Sequence, residues 1–161
     1  MPNLNIVLIE PQIPQNTGNI ARTCAAVGAA LHLVRPMGFE IDAKKVRRAG
    51  LDYWHLLDIS YYDSADDFFS RTNGPYVLFT SKAGRVHTRH DYPPGVFLVF
   101  GREDAGLSED LLRKHPNSLA RLPMVAGARC LNLSNTVAIG TYEALRAMGF
   151  AGLQTKGPLE I

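Results

Sequence analysis

Five short apolar runs recur along the chain and are separated by segments with helical patterning. Continuous apolar runs of this length are typical of parallel strands that are buried on both faces of a sheet. They predict strands at residues 4–10, 31–34, 76–80, 96–100 and 119–122. Periodicity, caps and glycine stops predict helices at residues 19–27, 43–49, 64–70, 108–114 and 133–148. The alternation predicts an α/β protein in which helices cover both faces of a parallel sheet.

Length and composition predict one domain that spans residues 1–161. The hydrophobic fraction of 46% and the charged fraction of 20% are those of an ordinary soluble protein. We find no internal repeat, linker, signal pattern or apolar run of about 20 residues, and therefore expect a cytoplasmic protein without a membrane segment. Cys24 and Cys130 form no CxxC pair and no zinc-like cluster with the histidines, which predicts free thiols and no metal site.

The formal net charge is only +2, too small to indicate a nucleic-acid partner by itself. The basic residues are unevenly spread, however, because Lys44, Lys45, Arg47 and Arg48 lie within five positions. Such a cluster is either a solvated helix face or a surface that contacts phosphates.

Several common nucleotide and hydrolase signatures are missing. The chain has no GxGxxG after its first predicted strand, and no GxxxxGK[ST], GxSxG or HExxH at any position. Their absence argues against a dinucleotide-binding dehydrogenase, a P-loop NTPase, an α/β-hydrolase and a zinc protease.

Three polar, glycine-containing segments instead follow predicted strands. They are NTGNIAR at 16–22, FGREDAGL at 100–107 and RCLNLSN at 129–135. Each one alone is compatible with a turn and a helix cap. Loops beyond the carboxyl ends of parallel strands are where open α/β sheets bind ligands, so three such segments on one small sheet predict a ligand site.

These segments resemble the three motifs of the SpoU branch of the SPOUT methyltransferases: N-x-G-x-x-x-R, F-G-x-E-x-x-G-L and N-L-S-N-x-V. Residues 10–19, 35–39 and 47–53 further resemble the short, single-domain subgroup of that branch. Members of the subgroup methylate the ribose 2′-hydroxyl of the wobble nucleotide in certain leucine tRNAs. The resemblance extends from residue 4 to about residue 150.

The resemblance implies a deep trefoil knot in the carboxyl-terminal part of the sheet, a homodimer, tRNA as partner, and S-adenosylmethionine as cofactor without a metal. It implies a cofactor pocket lined by Phe79, Thr80, Gly101, Leu122, Met124, Cys130 and Leu131. The positions associated with catalysis are Arg22, Glu103 and Asn132. Substrate contacts are expected from Asn16, Lys44, Lys45, Arg47 and Arg48.

Chemistry constrains the roles of the three catalytic positions. A guanidinium stays protonated in proteins, so Arg22 is expected to hold the ribose or a phosphate and to stabilise the developing alkoxide rather than to act as a base. Glu103 either orders the pocket or balances the sulfonium charge, and Asn132 orients the hydroxyl or the cofactor carboxylate. Taken singly, Asn16 and Asn132 could be loop or cap residues, and Arg22 an exposed helix residue.

Other assignments stay open at this point. The chain could methylate a base nitrogen or another tRNA or rRNA ribose, or it could be a noncatalytic RNA-binding module with the same fold. The N-L-S-N-x-V form of the third motif favours ribose methylation, and the intact Arg22, Glu103 and Asn132 favour catalysis. Many relatives carry serine where this chain has Cys130, so a contact there is expected from the backbone.

Overall fold

In the part of the chain that the structure describes, the sheet has six strands and all of them are parallel. The computed structural model describes residues 3–41 and 57–159. The strands are β1 (Leu4–Ile9), β2 (Ala30–Val34), β3 (Ile59–Tyr62), β4 (Tyr76–Phe79), β5 (Val96–Phe100) and β6 (Leu119–Ala120). Their order is β3-β2-β1-β5-β4-β6, and every neighbouring pair is parallel. The five predicted strands are therefore confirmed, each to within about two residues at its ends.

Strand β3 was missed in the sequence analysis. Its residues are Ile59, Ser60, Tyr61 and Tyr62, which form no continuous apolar run. It lies at the edge of the sheet beside β2, and only Tyr62 among its side chains is buried. An edge strand with one neighbour and little buried surface lacks the composition that identifies the central strands.

Helices cover both faces of the sheet, as predicted. They are α1 (Pro14–Val27), α2 (Ala65–Arg71), α3 (Glu109–Lys114) and α4 (Leu133–Ala147). Successive residues of a strand point to opposite faces, so Ile6 and Leu8 of β1 pack in one core cluster while Val7 packs in the other. The first cluster includes side chains of α1 and α4, and the second includes Phe68 of α2 and Leu111 of α3.

Helix α1 corrects the sequence analysis, which placed residues 15–18 in a loop and began the helix at residue 19. The helix begins at Pro14, a position at which proline needs no hydrogen-bond partner and already has a helical φ. The N-cap residue, Ile13, makes no side-chain capping bond. The side-chain cap that usually marks a helix start is therefore absent, and Pro14 is the local start signal that remains. The helix ends as predicted at Gly28, which has a left-handed φ of 69°.

The other described helices begin at side-chain caps. Ser64 accepts a hydrogen bond from the Asp67 N–H, and Ser108 accepts one from the Leu111 N–H. Asn132 caps α4, which ends one residue before the predicted boundary. The helix predicted at 43–49 lies outside the described residues.

Candidate active site

Loops after the carboxyl ends of β4, β5 and β6 enclose a cavity of about 500 Å³. This volume is within the range of small-molecule and cofactor sites. The floor contains two stacked rings, Phe79 and Phe100, with centroids 4.7 Å apart and planes inclined by 18°. The cavity lies at the edge of the sheet where a ligand site was predicted.

The cavity is lined by every residue to which the sequence analysis assigned cofactor contacts. These are Phe79, Thr80, Gly101, Leu122, Met124, Cys130 and Leu131. They contribute apolar side chains and loop backbone, and Cys130 and Leu131 are exposed at the rim.

Some lining residues were missed in the sequence analysis. Ser81 and Lys82 directly follow Thr80, and Thr136 lies one helical turn after Leu133 on α4. Their positions after a strand end and at a helix start were the available signals. Arg129 of the third motif segment also lines the cavity.

Gly101 allows the second motif to fold back tightly on itself. A Cβ atom at this position would lie 2.2 Å from the carbonyl carbon of Gly106 and 2.3 Å from the nitrogen of Leu107. The loop is closed by two backbone bonds, from the Gly106 N–H to the Arg102 carbonyl at 2.9 Å and from the Arg102 N–H to the Gly106 carbonyl at 3.3 Å. Any side chain at position 101 would displace this backbone, which forms one wall of the cavity.

The Glu103 carboxylate caps helix α1 from a distance of about 90 positions in the chain. One oxygen accepts the Gln12 N–H at 2.8 Å, and the other accepts the Ile13 N–H at 3.0 Å and the Asn16 side-chain amide at 3.2 Å. An anionic acceptor at a helix amino terminus satisfies free N–H groups and complements the helix dipole. This contact explains how α1 begins at Pro14 without a local cap.

Asn16 joins the second motif to the third. Its side-chain oxygen accepts a bond of 3.0 Å from the Asn132 amide, while its own amide donates to Glu103. The Asn132 oxygen accepts the N–H groups of Ser134 at 2.9 Å and Asn135 at 3.4 Å. Asn16 is only 5% exposed. The three motifs therefore meet through a network of three side chains, which we call the Glu103–Asn16–Asn132 network.

Arg22 lies apart from this network and from the cavity. It is exposed on α1, and no residue of α1 lines the cavity among those that the structure describes. Within the described ranges its guanidinium makes no hydrogen bond or ion pair. The structure thus brings Glu103 and Asn132 beside the cavity but leaves Arg22 free on the surface of a single chain. Lys44, Lys45, Arg47 and Arg48 lie outside the described residues.

No group of three or more His, Cys, Asp or Glu side chains is placed to hold a metal ion among residues 3–41 and 57–159. No helix within the same ranges is both long enough and apolar enough to cross a membrane.

The fold and the site together define an open parallel α/β protein with a cofactor-sized cavity built from loops at the carboxyl ends of its strands. The chain belongs to the SpoU rRNA Methylase family, whose sequence model matches residues 3–142.

Comparisons with individual proteins agree with this assignment. A Burkholderia ambifaria tRNA (cytidine(34)-2′-O)-methyltransferase is 46% identical over 153 residues, which cover 92% of this chain and 97% of the relative. A structure solved to study 2′-OH methylation of C/U34 on tRNA superimposes with a TM-score of 0.84 at 38% identity, covering 91% of each chain. An AdoMet-bound rRNA methyltransferase from Sinorhizobium meliloti gives a TM-score of 0.78 at 30% identity, covering 89% of this chain and 56% of that one.

Proposed function

We propose that the protein transfers a methyl group from S-adenosylmethionine to the ribose 2′-hydroxyl of nucleotide 34, the wobble position, of tRNA. The observation that carries this proposal is that the second and third motifs line one cavity and are joined to the first motif through the Glu103–Asn16–Asn132 network. The 46% identity to a tRNA (cytidine(34)-2′-O)-methyltransferase over nearly the whole chain supports nucleotide 34 as the target. We further propose a cytoplasmic enzyme whose substrates are leucine tRNA isoacceptors.

The cavity fits S-adenosylmethionine. Adenine and ribose are flat and neutral, and the walls offer apolar side chains together with the loop backbone at Gly101 and Leu131. The S. meliloti relative binds the same cofactor. When bound, S-adenosylmethionine supplies an electrophilic methyl group on a sulfonium. The protein has to hold the ribose oxygen in line with that methyl group and stabilise the charge that develops on the oxygen.

Glu103 and Asn132, predicted as catalytic residues, are better described as positioning residues. The Glu103 carboxylate already accepts three N–H groups, and the Asn132 oxygen already caps α4. A carboxylate that accepts three N–H groups is held in place, so it can order the cavity wall against α1. Asn16, predicted to contact substrate, has both ends of its amide engaged and serves the same positioning function.

Arg22 is the candidate catalytic residue. Its free, exposed guanidinium can donate to a ribose oxygen or a neighbouring phosphate through a planar set of N–H groups. Because Arg22 does not line the cavity of its own chain, we propose that it acts at the cavity of the other subunit in a homodimer. A guanidinium stays protonated, so Arg22 cannot accept the proton of the ribose 2′-hydroxyl. That proton is transferred to another acceptor.

The deep trefoil knot is part of the proposal. Strand β6 pairs with β4, and Arg121 directly after β6 bridges to Val86 in the β4–β5 connection. Helix α3 packs on one face of the sheet and α4 returns to the opposite face, where it contacts the short turn His87–Arg89. These contacts support a threaded carboxyl-terminal segment, because a knot requires this segment to cross from one face of the sheet to the other beside the β4–β5 connection.

The homodimer leads to a separate prediction. Helix α4 exposes an apolar surface, with Ile139 42% and Tyr142 52% exposed. We expect light scattering to report the molar mass of a dimer. The interface of that dimer should bury more than roughly 1,000 Å² in total. The variant I139E/Y142E is expected to be monomeric and inactive, because unpaired carboxylates are costly in a buried interface. R113E/K114E on exposed α3 is the matched control and should remain dimeric. A wild-type monomer with full activity at micromolar concentration would contradict the proposal.

The proposed reaction is tested by incubating the protein with labelled S-adenosylmethionine and total RNA and mapping the labelled nucleotide. We expect a 2′-O-methyl group at nucleotide 34 of tRNA. A matched tRNA with a 2′-deoxyribose at nucleotide 34 should accept no label, because the nucleophile is missing. Since the family description refers to rRNA, rRNA is included as a competing substrate. Label on rRNA or on a base nitrogen would show that the assignment of the substrate is wrong.

A further inference from the structure

Three arginines from two distant segments meet beside the cavity. The Arg121 N–H donates to the Arg85 carbonyl at 2.8 Å, and Arg121 forms a parallel bridge with Val86. The Arg85 guanidinium donates to the Arg89 carbonyl, and the Arg121 guanidinium donates to the Ser81 carbonyl. We call Arg85, Arg89 and Arg121 the arginine cluster. It involves none of the basic residues singled out in the sequence analysis.

The arginine cluster carries uncompensated positive charge. None of its members forms an ion pair with an acidic side chain among the residues that the structure describes. Two neighbouring carboxylates are already paired, Glu109 with Lys82 at 3.0 Å and Glu143 with Arg146 at 2.8 Å. The pKa of His90 is lowered, mainly by burial and further by the positive charge of Arg85. The Leu119 carbonyl and Asp91 oppose this shift without cancelling it.

The arginine cluster is adjacent to residues that line the cavity. Ala120 and Leu122 both line the cavity, and Arg121 stands between them in the chain. Ser81, whose carbonyl holds the Arg121 guanidinium, is also a lining residue. Arg129 adds a further exposed arginine on the loop that lines the cavity. A polyanion bound at the arginine cluster would therefore run past the cavity entrance.

We propose that the arginine cluster binds backbone phosphates of the RNA that flank the methylated ribose. The inference rests on the proposed function and adds an RNA-contacting surface to it. Guanidinium groups match phosphate oxygens through two parallel N–H bonds, which orients as well as attracts the backbone. Phosphate contacts set the register of a protein on a nucleic acid, so this surface would present one ribose to the cavity.

The test compares two double variants, R85Q/R89Q and R113Q/K114Q. The second removes the same charge from the exposed side of α3. Binding of tRNA is measured by fluorescence anisotropy over a series of salt concentrations. For R85Q/R89Q we expect the slope of log affinity against log salt to flatten by roughly 1.4 to 1.8, that is about 0.7 to 0.9 for each lost contact. We expect KM for tRNA to rise roughly tenfold, with kcat and cofactor affinity unchanged. R113Q/K114Q should match the wild type.

Two further measurements keep the test decisive. Thermal unfolding shows whether R85Q/R89Q is folded, and R85K/R89K keeps the charge and should recover most of the salt slope. An unchanged slope in R85Q/R89Q, or an equal loss in R113Q/K114Q, would overturn the inference. Failure of the wild type to methylate tRNA, with the slope difference between the two variants intact, would remove the proposed reaction but leave the arginine cluster as an RNA-binding surface.

Discussion

Replacing Arg22 with alanine is expected to lower the rate of methyl transfer at least about 10²-fold while cofactor binding is retained. This is the scale expected when one donor that stabilises the transition state is lost. Arg22 is exposed, and the cavity is built from other segments, so its removal leaves the cofactor walls intact. Calorimetry with S-adenosylmethionine and single-turnover methylation, both on the same preparation, separate binding from chemistry.

Two variants sharpen the Arg22 prediction. Arg22→Lys should recover little activity, because an ammonium cannot reproduce the planar set of guanidinium donors. Arg71→Ala removes another exposed arginine, one that pairs with Asp67 on α2, and should retain normal turnover. If Arg22→Ala loses cofactor binding, or if its turnover stays near normal, Arg22 does not have the role proposed for it.

Replacing Gly101 is expected to abolish cofactor binding, and alanine should already be sufficient. A Cβ at this position would lie 2.2 Å and 2.3 Å from backbone atoms of Gly106 and Leu107, which cannot move without opening the cavity wall. The structure thus places the conflict within the second motif itself rather than between the side chain and the cofactor. We expect affinity for S-adenosylmethionine to fall below detection by calorimetry, with a loss of about 1 to 3 kcal/mol in the free energy of unfolding.

Gly84→Ala is the matched control for Gly101. Gly84 follows the lining residues Ser81 and Lys82, yet a Cβ there meets no atom within 4 Å. The Gly84→Ala variant should therefore bind S-adenosylmethionine as the wild type does. Thermal unfolding in the absence of cofactor distinguishes local opening from loss of the fold. Normal cofactor binding by Gly101→Ala would show that the tight loop is not required.

The sequence predicts those parts of the fold whose causes are local. Ser64 and Ser108 are caps that act on N–H groups three positions away, so α2 and α3 begin at the expected residues. The residues that lead into α1 are held instead by Glu103, and no local pattern around Ile13 could indicate that distant contact. Strand β3 escaped prediction because tyrosine and serine at a sheet edge need not form an apolar run.

The candidate site also has a part that could be predicted from the sequence and a part that could not. The resemblance to a family assigned seven lining residues, and all seven line the cavity. Periodicity and composition alone would not have distinguished Phe79 and Leu122 from ordinary core residues. The separation of Arg22 from the cavity was not predictable either, because it depends on where the exposed face of α1 lies relative to the loops after β4, β5 and β6.

The long-range cap on α1 also sets an order of events in folding. Ile13 and Glu103 are 90 positions apart, so a large loop must close before the backbone that leads into α1 gains its acceptor. During synthesis, the first motif emerges from the ribosome well before the second and third. The Glu103 contact at the amino end of α1 therefore requires β5 to be paired with β1, so we expect the ligand site to form together with that pairing or after it.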